Sequence, residues 1–252
     1  MTGGEALLLA FGAGLLGGAM NALAGGGTFA TLPALIGIGL PSTVANATSN
    51  VGLLPGAATS AWAFRDELGP VGGLSPRLLG AITFAAALAG SLLLVFTPAA
   101  TFDVIIAWLL LFGTLVLAFG KQAGAWLHDR VAIGPRTLVT VQGVLGIYGG
   151  YFGGGVGLIT TALYGLLAGI EPRGLFAQRT TMLAVGNLAA AGVFMTTGLV
   201  RWTACLPMLV GAVAGGWAGA HVGRRLPAGA VRTWTLFVAT ATTAVFFWRA
   251  YG

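Results

Sequence analysis

The chain has 252 residues, of which 57% are hydrophobic and only 7% charged, with a mean hydropathy of +0.92. That balance exceeds what the single core of a soluble domain of this size uses, and it points to a polytopic membrane protein. The net charge of +6 would suggest nucleic acid in a soluble protein, but the twelve Lys and Arg lie mostly between apolar segments. There they act as topology signals and headgroup contacts, so the expected partners are the lipid bilayer and a small ligand, not nucleic acid.

The 43 glycines show no triplet period, which excludes a collagen-like chain and leaves close helix packing and backbone breaks as their uses. Cys205 is the single cysteine, so an intramolecular disulfide and a Cys-based metal cluster are both excluded.

Apolar stretches long enough to cross about 30 Å of hydrocarbon, ~20 helical residues each, fall in chain order at Ala6 to Ala24, Val44 to Phe64, Leu78 to Phe96 and Phe102 to Phe119. Four more follow at Leu138 to Phe152, Thr180 to Leu199, Ala204 to Val222 and Val231 to Trp248. The first is read as a retained span, because its start lacks the basic region of a cleaved signal. The expected fold is therefore all-α, with about eight transmembrane helices.

Two further apolar pieces, Phe29 to Leu40 with 12 residues and Gly157 to Ile170 with 14, are too short to cross at ~1.5 Å per residue. Each follows a glycine triplet, Gly25 to Gly27 or Gly153 to Gly155, and each precedes a Pro-containing turn. They suit re-entrant or half-helix segments.

The glycine triplets recur at an offset of 128, and "ANATSNVGLLPGAA" at 45 to 58 recurs as "AQRTTMLAVGNLAA" at 177 to 190 at an offset of 132. The sequence thus predicts two homologous halves, 1–120 and 137–252, joined by the polar linker 121–136, with about four spans in each. Duplicated halves with interrupted hydrophobic segments in matching positions are the pattern of a transporter whose site lies between the repeats. The basic residues divide seven to five between the two sides of an eight-span chain. The linker is placed on the cytoplasmic side.

In lipid an unpaired backbone group is costly, so a glycine break implies a protein-covered or water-lined place. Gly25, Gly26 and Gly27, and likewise Gly153, Gly154 and Gly155, let a ligand approach the backbone, and the half-helix starts that follow favour an anion. Thr28 is a candidate cap for the first of these. The second motif pair adds Thr48, Ser49 and Asn50 on one side and Thr180, Thr181 and Asn187 on the other as hydrogen-bond donors to a substrate. Arg179 is the candidate counter-charge. Each has a structural alternative: glycines pack helices tightly, hydroxyls bond back to their own helix, and an arginine at a helix end snorkels. The amides of Asn21, Asn46, Asn50 and Asn187 must find partners wherever they are buried.

All six carboxylates lie at segment ends or in loops, so no membrane-centred acidic relay is expected. No Ser/His, paired-Asp or metal-ligand constellation and no phosphate loop is present, so neither an enzyme nor a cofactor or metal site is expected.

The ordered set "AGGGTFATLPAL" then "ANATS", and "FGGGVGLITTAL" then "AQRTT", resembles the sulfite exporter TauE/SafE family of bacterial membrane proteins across almost the whole chain. The resemblance implies a multi-pass permease of the cytoplasmic (inner) membrane that moves a sulfur-containing anion such as sulfite or an organosulfonate, commonly outward. The second half departs from the first, with Val156 where Thr28 stands, Met182 for Asn50 and Asn187 for Pro55, so two equivalent sites are not implied. On the residues alone, a non-transporting or partner-binding membrane subunit stays open as the alternative, and it predicts glycine breaks packed shut.

Overall fold

A computed structural model describes residues 3–128, 134–168, 172–223 and 226–252. Among the described residues ten α-helices form in the order α1 (Gly3–Leu23), α2 (Thr28–Gly37), α3 (Ser42–Ala63), α4 (Pro76–Val95), α5 (Ala99–His128), α6 (Pro135–Tyr151), α7 (Val156–Ala168), α8 (Phe176–Thr196), α9 (Trp202–Gly223) and α10 (Ala228–Tyr251). Each of the eight expected long stretches is helical, and the two short pieces are α2 and α7, of 10 and 13 residues. The polar stretch 121–136 is not a loop throughout. α5 runs on to His128 and α6 starts at Pro135, with 129–133 outside the described residues.

Local chemistry explains where helices begin and end. Pro76 and Pro135 open α4 and α6, where a missing N–H costs nothing, and Ser75 Oγ accepts the Leu78 amide at the start of α4. α1 and α6 stop by one device: Gly25 and Gly153 take positive φ, 79° and 77°, and each donates its amide five residues back, to the Met20 and Tyr148 carbonyls.

Five helical segments among the described residues are long and apolar enough to cross a membrane: Gly3–Leu23, Pro76–Val95, Ala99–Gly120, Trp202–Val222 and Gly229–Tyr251. The remaining long helices differ for a physical reason. α3 and α8 have the length, 22 and 21 residues, but carry polar stripes and are enclosed by their neighbours, so their surfaces need not match lipid. α6 has 17 residues.

α3 and α8 pack on each other at the centre. α1 lies along α9 and α4 along α6, α3 also meets α9, α8 also meets α4, and α5 pairs with α10. The α1 and α9 backbones touch through glycine: a Cβ on Gly14, Gly18, Gly211 or Gly215 would collide with the carbonyls of Met208, Ala212, Phe11 or Leu15. Large apolar side chains such as Leu8, Phe96, Trp217 and Trp248 point outward from the outer helices, as a lipid-facing surface requires. The short helix α2 packs against α1, α3 and α10 and α7 against α5, α6 and α8, and their glycine-broken starts are buried.

Candidate functional site

The two glycine breaks meet. A Cβ on Gly25 would lie 2.6 Å from the Gly157 Cα, and one on Gly157 would lie 2.8 Å from the Gly25 Cα. The starts of α2 and α7, both positive dipole ends, therefore come together although 132 residues separate these glycines.

Each break is held by side chains from elsewhere. Asn21 Oδ1 accepts the Gly27 amide at 2.7 Å, so Asn21 binds the amide freed at the entry to α2. Thr28 does not take the expected capping role: it is the buried first residue of α2, and the helix start has no side-chain cap beyond this contact. The Phe29 and Ala30 amides turn to the Gly26 and Gly27 carbonyls, so much of the α2 start is satisfied internally. At the second break Gly155 also takes positive φ, 73°, and Tyr148 donates its hydroxyl to the Gly154 carbonyl at 2.7 Å. The Phe29 ring lies against Gly155 and Gly113.

Arg179 stands where the breaks touch. Its Nη2 donates to the Ala22 carbonyl at 3.1 Å, at the end of α1, its Cδ and Cγ approach Gly157, and its guanidinium lies 4.4 Å over the Phe176 ring. Among the described residues it is the one charged side chain that is buried, at 6% exposure, and its Nε has no hydrogen-bond partner. It does not snorkel.

The other expected site residues separate into groups. Asn50 Nδ2 donates to Asn187 Oδ1 at 3.3 Å, joining α3 to α8 beside Gly153. Asn187 also lines a narrow crevice with Thr83, Gly149, Val156 and Gly186, with room for about one water molecule. Ser49 shares a 2.5 Å hydrogen bond with Thr31 of α2. Thr48 is drawn away from both breaks, accepting the Arg201 amide ahead of α9 at 3.0 Å. Thr180 bonds back to the Phe176 and Ala177 carbonyls of its own helix, and Thr181 is half-buried.

Ser42 and Asn46 were not among the expected site residues, yet Ser42 Oγ and Asn46 Oδ1 are buried without a partner, as is Asn50 Oδ1. Their spacing with Asn50, four residues each time, was the available clue. Among the described residues no three His, Cys, Asp or Glu side chains gather as metal ligands. Arg179 is thus a buried cation beside two helix starts, with an Nε that has no hydrogen-bond partner.

The sulfite exporter TauE/SafE family model matches residues 10–246. The chain is 31% identical over 224 residues to a Sinorhizobium sp protein named "Probable membrane transporter protein ORF9", covering 87% of this chain and 82% of that one. It is 27% identical over 213 residues to the Escherichia coli K12 "Probable membrane transporter protein YfcA", covering 84% and 77%. A Haemophilus influenzae "Probable membrane transporter protein" is 27% identical over 223 residues, covering 86% and 85%. No solved structure matches the chain. The chain belongs to the sulfite exporter TauE/SafE family.

Proposed function

We propose that this protein is a multi-span permease of the inner membrane that carries a small sulfur-containing anion, sulfite or an organosulfonate, outward. Family membership and relatives named as membrane transporters support the permease class. The observation that carries the anion is Arg179, buried, with an unpartnered Nε, at the meeting of two helix starts. An uncompensated guanidinium in a membrane interior is costly, and a bound anion offsets that cost. Outward movement follows the membrane potential, since an anion leaving a cell negative inside gains about 2.3 kcal/mol per charge per 100 mV.

The site lies between two repeats, 1–120 and 137–252, in this reading. The helices run long, short, long, long, long and then repeat that order, which supports four spans and one short helix per repeat. Exchange of the repeats turns the α1 and α9 pairing into that of α6 and α4, and leaves α3 with α8 and α5 with α10 unchanged, as observed contacts allow. The region 121–136 lies on the cytoplasmic side.

The closed contact of Gly25 on Gly157 is what a non-transporting subunit would have. It also fits the occluded step of alternating access. Flux decides between them: purified protein in liposomes is to be tested with sulfite, sulfate, chloride and methanesulfonate. Sulfite or methanesulfonate flux above chloride supports the reading, unchanged flux in Arg179→Ala removes Arg179 from the site, and no anion flux leaves the subunit reading.

A further inference from the structure

Ser42, Asn46 and Asn50 are at 4%, 2% and 7% exposure, and each has a buried oxygen without a hydrogen-bond partner. Standing at i, i+4 and i+8, they share one face of α3 at steps of about 6 Å. Chemistry fixes the Asn46 amide. Its Nδ2 donates to the Tyr151 carbonyl at 3.0 Å, a carbonyl only accepts, and Oδ1 is therefore the free atom. Asn50 spends Nδ2 on Asn187 and likewise keeps its oxygen. A row of acceptors inside a membrane protein is costly unless donors meet it.

A fully deprotonated oxyanion has only acceptors and is repelled by the two amide oxygens, whereas the Ser42 hydroxyl takes either role; a species with an O–H is matched to all three. Among the described residues, the buried or half-buried titratable groups on the helices around this face are Arg179 on α8, Cys205 on α9 and, on α6, Tyr148 and Tyr151, whose hydroxyls turn to the Gly154 carbonyl and to Thr97, while Arg65, Asp66 and Glu67 in the turn after α3 are exposed. Glu5, Asp103 and His221 sit near the ends of α1, α5 and α9. None of these is a buried base on the α3 face, so a proton there has to arrive with the ligand.

Resting on the anion transport proposed above, we infer that the transported species brings a proton with it, and that Ser42, Asn46 and Asn50 accept from it along α3. The proton is the O–H of a hydrogen oxyanion or a hydrated proton beside the anion, and the acceptor chemistry is the same.

The test is the sign of the lumenal pH change. Proteoliposomes of the full chain hold a pH-sensitive dye, the potential is clamped with potassium and valinomycin, and protein-free vesicles give the baseline. Sulfite is added near the pH at which it is half protonated. Entering hydrogen sulfite releases part of its protons and acidifies the lumen, whereas entering sulfite dianion takes protons up and makes it alkaline. Acidification by the wild type is expected. Methanesulfonate separates the sources: entry without a pH change places the proton on the oxyanion, and acidification places it beside the anion. Asn46→Leu with Asn50→Leu lowers the protein-dependent acidification by roughly tenfold, and the wild-type sign decides alone where that variant does not fold. Lumenal alkalinisation by the wild type overturns this inference and leaves anion transport standing. Absence of any sulfite flux overturns both.

Discussion

Arg179 and Ala22, 157 residues apart, are joined by a 3.1 Å hydrogen bond from the guanidinium Nη2 to the backbone carbonyl. The bond ties the start of α8 to the end of α1, where helix carbonyls have lost their own partners. In the proposed function Arg179 thus has two duties, holding the break at Gly25 and presenting its Nε.

Substitution separates these duties. Arg179→Ala removes both, and loss of a charged hydrogen bond costs about 1.5–3 kcal/mol, roughly a ten- to hundredfold fall if it is felt in flux. Arg179→Lys keeps the charge but loses the planar fork, so the Ala22 bond and the Nε position cannot both be kept. We expect sulfite flux in proteoliposomes to fall in the order wild type, Lys, Ala. Equal flux in Lys and Ala variants would mean that the charge itself does nothing.

The contact of Gly25 with Gly157 can be tested at each glycine. Gly25→Ala meets two obstacles, a φ of 79° and a backbone 2.6 Å from the new methyl, whereas Gly157→Ala meets only the second, at 2.8 Å. Left-handed backbone costs about 1–2 kcal/mol for an L residue and overpacking about 1–3 kcal/mol. Gly73, with a φ of 80° and open space around it, supplies the strain alone. Thermal midpoints in detergent should therefore fall most for Gly25→Ala and less for Gly157→Ala and Gly73→Ala. A Gly25→Ala midpoint equal to that of Gly73→Ala would show that the two breaks do not press on each other.

Much of this was legible from the chain. Apolar runs located the helices within a few residues except at the end of α5, which runs past Phe119 to His128, and the triplets at Gly25 and Gly153 marked the ends of α1 and α6 because glycine alone takes that turn without strain. The place of Arg179 ahead of Thr180 left burial and snorkelling both open, and the side chain is buried. The partners were not legible. Hydroxyls such as Thr48 and Thr180 look alike in sequence, yet one accepts the Arg201 amide and the other bonds its own helix. Thr28 looked like a cap, but Asn21 reaches the Gly27 amide first from the preceding helix. The meeting of Gly25 with Gly157 depends on how α1 and α6 end in space, which no local pattern carries.

Asn21 offers a separation of stability from transport. Asn21→Ala leaves the Gly27 amide unpaired and should cost about 1 kcal/mol, as loss of a helix cap does. Asn21→Asp keeps an acceptor at 2.7 Å and adds a negative charge at a helix N-terminus, which favours the fold. The same charge would compete with an anion near Arg179. Unfolding midpoints should rank Asp close to wild type and Ala below, while sulfite flux should be lower in Asp than in Ala. Normal flux in the Asp variant would place the anion away from the first break.

The α1 and α9 pairing tests how the scaffold around the site is held. Gly14 and Gly18 on α1 face Met208 and Ala212, and Gly211 and Gly215 on α9 face Phe11 and Leu15, each without room for a Cβ. Membrane helices gain little from hydrophobic burial against one another, so close backbone approach through small residues carries their association. Gly18→Val must push the helices apart, losing contact along the whole seam and moving the end of α1, with Ala22, away from Arg179. Overpacking costs of about 1–3 kcal/mol should lower the thermal midpoint, and flux should fall with it. Gly12→Val, on the same helix with open space around it, is the control and should be near neutral. If both variants unfold at the wild-type midpoint, α1 does not depend on its glycine seam, and the anchoring of the first break rests on Arg179 and Asn21.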